Sequence, residues 1–293
     1  MIAGLKLPSL LVLGLLVSAG GIGQAFSNPL PLVLVQDVGI PSVATLAKTL
    51  RIGEVIDVMR LEGLSYGTEM EGDLFPGKGG AAWVSVVELI YDGPTMQRRF
   101  EEALAARLAG HETDMGAMQQ FFAADLGQRI LKLEIEARRS LMDQAVEDAA
   151  KARVEEMMAE AVPRFDALQA FSEVNDLVEM NISGAMNSNL AFFQGMAEVG
   201  AMRQDLTEED MLMDVWGQEP EIRAETESWV FPYLALAYGP LSDEELAAYI
   251  EFSETGPGQT LNTAVFGAFD TVFAAISRDL GRAAARQIMG EDI

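Results

Sequence analysis

In three stretches of this chain, Gln97 to Leu108, Gln128 to Ala161 and Leu168 to Met202, apolar residues recur at three- and four-residue spacings, with alanine, leucine, methionine, glutamate and arginine filling the rest. That period puts one apolar stripe along a helix, and those fillers are good helix formers. No segment alternates as a half-buried strand does, and the one β-branched run, Leu30 to Val35, is short and carries a proline. The expected fold class is all-α. Pro163, Pro220, Pro232, Pro240 and Pro257 read as punctuation between helices. Ser242-Asp243-Glu244-Glu245 has the spacing of a capping box that opens one. Gly72 to Gly80, with four glycines and a proline, reads as the clearest loop. With no cysteine to staple it, the body must be held by its packed core.

The amino terminus reads differently from the rest. Lys6 supplies a positive start, Leu10 to Val17 is apolar apart from Gly14, and Gly23-Gln24-Ala25 places small residues where a signal peptidase cuts. Residues 1–25 are therefore expected to be a cleaved secretory signal, giving a periplasmic or secreted protein cut near Ala25. No later segment reaches about 18 apolar residues without a charge, so no transmembrane segment is expected in the mature chain.

Displacing the sequence by 131 positions brings Phe121 onto Phe252, Gly127 onto Gly258 and Gln128 onto Gln259, with Phe100 on Phe231 and Ala137 on Ala268. Between these identities the apolar stripe persists, as in Ile130 over Leu261 and Leu141 over Val272. Upstream, Glu54-Val55-Ile56-Asp57 resembles Glu173-Val174-Asn175-Asp176 at a displacement of 119. The expected architecture is a helical bundle-like body of two divergent, similar helical units, residues 26–160 and 161–293, packed together and not strung as a solenoid.

The segment from Leu246 to Gln259, a helix ending in an aromatic, a short turn and then Gly-Gln opening a long helix, resembles the bacterial exported family named domain of unknown function 2059. Phe121, Gly127 and Gln128 form a degenerate second instance, with Asp125-Leu126 where Gly256-Pro257 stands in the first. The resemblance implies an all-helical periplasmic protein and carries over no activity or catalytic residue. Read physically, Gly258 permits close backbone approach, Pro257 suits a first helical turn and Gln259 can bond neighbouring backbone.

Composition excludes several chemistries. Without cysteine and with a single histidine, thiolate metal centres and sites needing two imidazoles are ruled out, and no cofactor or metal is expected. A formal net charge of −25 makes the chain a poor counterion for nucleic acid. Gly72 to Lys78 matches the first seven positions of a phosphate-binding loop, but Gly79 stands where serine or threonine must hold magnesium, so the segment is read as a connection. His111 falls on Ser242 in the displaced alignment and is read as a helix-cap position, with no catalytic residue assigned. The 16 methionines follow the apolar stripes and are read as core, with copper binding the weaker alternative.

The remaining polar concentrations are a run of carboxylates around Trp216, including Asp214 and Glu219, and an amide-rich helix containing Asn175, Asp176 and Asn181. These six are the candidate ligand or polar-cleft residues, since an inserted segment on a duplicated scaffold is a reasonable seat for function. The expected function is that of a noncatalytic exported protein binding another protein or an envelope component in a groove between the units. The alternative is an envelope hydrolase using a carboxylate pair.

Overall fold

The computed structural model describes residues 42–202 and 207–290. The signal-like segment, Leu30 to Val35 and the chain termini lie outside the described residues. Within them the chain forms thirteen helices and no strand: α1 (Val43–Thr49), α2 (Ile52–Leu74), α3 (Gly80–Ile90), α4 (Gly93–Leu108), α5 (Glu112–Ala123), α6 (Asp125–Ser140), α7 (Gln144–Ala159), α8 (Pro163–Val174), α9 (Leu177–Glu198), α10 (Glu208–Gly217), α11 (Glu219–Tyr238), α12 (Asp243–Ser253) and α13 (Gly256–Met289). The all-α class holds.

The longest helix, α13, is the axis of the core. Its Leu261, Val265, Phe269, Phe273, Ile276, Leu280 and Ala284 are all buried, at the three- and four-residue spacings of one stripe. Helix α9 lies along it, and the approach is tight enough to need glycine on both sides. A Cβ on Gly195 would come within 2.1 Å of the Arg278 carbonyl, and one on Gly281 within 2.2 Å of the Phe192 carbonyl. On another side α4 packs through Phe100, whose ring centroid is 4.4 Å from that of Phe269. Helix α11 in turn packs on α6 and α7. One continuous apolar core therefore joins helices from both ends of the chain, with a small satellite of Ile182, Ala185 and Ile222. By length and composition α13 would also cross a membrane, but 61% of its most apolar window is buried inside the body.

Two expected helices are broken by turns that the periodicity does not reveal. The run from Gln128 to Ala161 divides at Leu141–Asp143, where the Asp143 carboxylate accepts from the Ala145 amide and starts α7. The run from Leu168 divides at Asn175–Asp176, with Asp176 in the left-handed region (φ 51). Arg51 adopts the same conformation (φ 56) between α1 and α2. The expected loop at Gly72 to Gly80 shrinks, since α2 continues to Leu74 and α3 starts at Gly80. Of the prolines, Pro163, Pro220 and Pro257 sit in first turns as expected, whereas Pro232 lies inside α11, kept helical by the burial of Val230, Tyr233 and Leu234 around it. The Ser242–Glu245 capping box forms, and Thr207–Asp210 makes a second one.

Candidate functional site

The six polar candidates do not form one site. Asn175 and Asn181 are buried, and each turns its Nδ2 back to a carbonyl four residues earlier, of Phe171 and of Leu177. The Asn175 carbonyl accepts from Asn262 Nδ2 at 3.1 Å, so this amide ties the α8–α9 turn to α13. These side chains bond backbone carbonyls on either side of the kink and lie inside the body. Asp176, at the kink itself, lines a cleft of about 280 Å³ with Glu173, Glu179, Glu227, Arg223 and Phe231. Glu219 reaches the same place through Arg223, 2.8 Å away, which also pairs with Glu179. Hydrogen bonding to the guanidinium holds the Glu179 carboxyl below its usual range. Asp214 and Trp216 are elsewhere, on the outward face of α10, where Trp216 is 66% exposed beside Met213 and Leu212.

The most strongly perturbed acid was not among these candidates. Glu134 of α6 points its Oε1 at two tyrosines, accepting from Tyr238 Oη at 2.7 Å and Tyr249 Oη at 3.1 Å. Burial pushes its carboxyl up to about 7, against the two hydroxyls, which favour the ionised form. It borders an apolar pocket walled by Ile52, Val55, Leu131, Tyr233, Val265 and Phe269, where Arg138 is the other charged group. Arg138 is 6% exposed and forks onto Glu62, with Nε at 2.8 Å and Nη2 at 2.7 Å from its two oxygens. The free space is about 30 Å³, room for one or two waters. Glu134 and Arg138 each already have partners, so the arrangement reads as an ionic joint between α2, α6, α11 and α12. The sequence held one signal for it: Glu134 and Arg138 fall on the same stripe as Leu131 and Ile135, at spacings where a solvent-facing charge has no place.

The other motifs resolve into structure. Phe121 and Phe252 stack face to face, with centroids 3.9 Å apart and planes 8° from parallel. A Cβ on Gly127 would meet the Phe121 carbonyl at 2.3 Å, so the turn between α5 and α6 requires glycine. Gln128 Nε2 donates to the carbonyls of Phe122 at 2.7 Å and Thr49 at 2.9 Å. Gly258 is buried and Gln259 half-buried in the first turn of α13. In the loop resembling a phosphate site, the Gly79 and Gly80 amides donate to Glu71 Oε1 at 3.0 and 3.1 Å, so a carboxylate occupies the place a phosphate would need. His111 is at the N-cap of α5, as its alignment with Ser242 implies, yet its side chain makes no cap bond. It lies 3.3 Å from Asp114 instead. Met115, Met118, Met157 and Met211 are core, whereas Met158 and Met213 face outward. Among the described residues no group of three or more histidine, cysteine, aspartate or glutamate side chains is arranged to hold a metal ion. No protein-family model, curated protein or solved structure matches this chain.

Proposed function

We propose that this is a noncatalytic binding protein of the periplasm or cell envelope, exported by a signal at residues 1–25 and engaging a protein or envelope component through its surface. The observation that carries the reading is the outward face of α10, where Leu212, Met213 and Trp216 stand exposed on a helix whose other apolar residues, Met211 and Val215, are buried. Isolated exposed apolar residues are ordinary, but three within five positions on one short helix mark an interaction surface. The hydrolase alternative has less support. At the apolar pocket the two neighbouring carboxyl groups, Glu134 and Glu62, are each already held, one by tyrosine hydroxyls and one by Arg138. The apolar pocket between the two chain halves is too small for a partner, so the surface takes the role expected of a groove.

The same reading includes a duplicated scaffold, residues 26–160 and 161–293, related to domain of unknown function 2059. Three features support it. The phenylalanine–turn–Gly-Gln pattern recurs between α5 and α6 and between α12 and α13. A left-handed hinge residue joins α1 to α2 and α8 to α9, at Arg51 and Asp176, a separation of 125 in place of the 119 of the Glu54–Glu173 match. And each half lends one helix to the other, α4 packing on α13 and α11 on α6 and α7.

A photo-crosslinking residue placed at position 216 of the full chain, in the cells that make it, tests binding. A discrete adduct from 216, with none from exposed position 155 on α7, is expected; equal labelling from both overturns the reading. Amino-terminal sequencing of the protein from the cell envelope tests export. The expected chain starts near Phe26, and a cytoplasmic chain starting at Met1 overturns it.

A further inference from the structure

We infer that the outward face of α10 is a docking site for a cationic amphipathic helix on a partner protein. The inference rests on the binding role proposed above and names the chemistry of the partner.

Helix α10 runs over ten residues and buries Met211 and Val215 against the body. At about 100° per residue, Leu212, Trp216 and Met213 then cover about 100° of the opposite side as one continuous strip. Their exposures, 40%, 66% and 61%, leave an apolar face open on this short element. Its composition suits a helical partner. Tryptophan gives a rigid anchor with a large contact area, and methionine, unbranched and polarisable, adapts to whatever ridge meets it.

Charge selects among such partners. Glu208 and Glu209 precede Leu212 and Met213 by four residues, so a carboxylate lies one turn above each, and Asp214 flanks the strip on the other side. From Thr207 to Ile222 there is no lysine or arginine. An anionic membrane surface is repelled by this rim, and an acidic partner helix likewise. A helix with leucine-like residues on one face and lysine or arginine beside it satisfies both parts of the surface: its apolar ridge covers Trp216 and Met213, and its cations meet Glu209 and Asp214.

The test is fluorescence anisotropy of a dye-labelled amphipathic leucine–lysine helical peptide titrated with the full chain. Saturable binding is expected, weakening as salt rises, with a blue shift of tryptophan emission that disappears in Trp216→Phe. Trp216→Ala and Met213→Glu should each weaken binding by about tenfold or more, with far-ultraviolet dichroism and thermal midpoint unchanged, since both side chains are surface groups. Equal affinity in these variants, equal binding of the leucine–glutamate counterpart, or transfer of the protein through Trp216 onto phosphatidylglycerol vesicles would each overturn the proposal. If the cationic peptide fails to bind while the position-216 crosslink forms in cells, the partner chemistry is wrong and the binding role stands. Loss of both removes both.

Discussion

Glu134 carries a pH dependence whose sign follows from its surroundings. Tyr238 and Tyr249 face it from α11 and α12, Tyr233 from α11, and the Arg138–Glu62 pair from α6 and α2. Because burial raises its folded-state pKa from 4.5 to about 7, the native protein holds a proton that the unfolded chain releases across that window. Its contribution to stability is therefore complete below about pH 4.5 and is lost as the pH rises through about 7. Thermal unfolding measured from acid to neutral pH should show this decline, and Glu134→Gln, neutral throughout, should flatten it. An unchanged slope in the variant would assign the decline to other groups. At Gly281 the constraint is space. Gly281→Ala forces a Cβ against the Phe192 carbonyl and should cost about 1–3 kcal/mol, read from the urea midpoint. The sequence marks Glu134 only as a charge on the apolar stripe of Leu131 and Ile135, and Gly281 not at all, for a physical reason. One carboxylate among 45 acidic side chains and one glycine among 27 acquire their meaning only from what a distant helix places opposite them. Asn175 and Asn181 illustrate the converse. Their mid-helix cost was legible, but in the structure both side chains are inside the body, with each Nδ2 turned back to a carbonyl four residues earlier.

Helix ends divide in the same way between what is local and what is not. The cap at Ser242 was readable because a capping box is a short-range device, complete within four residues. At the N-cap of α5, His111 offers no oxygen to the first-turn amides. His111→Ser should therefore stabilise the protein by about 0.5–1 kcal/mol, and Ser242→Ala should destabilise it by about 1 kcal/mol. Paired urea titrations check both, and a destabilising His111→Ser would show that its contact with Asp114 matters more than the missing cap. The breaks at Leu141–Asp143 and Asn175–Asp176 were not readable, because apolar residues keep their three- and four-residue spacing across both and a stripe reports which face is buried, not whether the backbone is continuous. Beyond the turn after α11, two arginines from other helices finish what local sequence leaves open. Arg164 donates to the carbonyls of Tyr238 at 2.6 Å and Leu241 at 2.8 Å, and Arg129 to that of Pro240 at 2.7 Å. Such long-range caps satisfy carbonyls that a helix end exposes, and they carry no sequence signature.

At the scale of the whole molecule, the all-α class was legible because helix period and composition agree over most of the chain, while the mutual packing of the two halves was not. Nothing in a periodic stripe says that α4 meets α13, more than 150 positions away, or that α11 meets α6 and α7. The arrangement predicts that the halves are not independent. Residues 42–160 produced alone should lack a cooperative unfolding transition and should bind a hydrophobic dye, since Phe100 and its neighbours on α4 are left without Phe269. A sharp transition in that fragment would show that each half carries its own core. That α13 follows the helices it packs against has a further consequence for the time at which the fold can form. Met96, Phe100 and Leu104, and the whole inner face of α9, belong to a core whose central strut is made after them, so these helices stay uncovered until α13 has been synthesised. A core built in that order closes late and all at once.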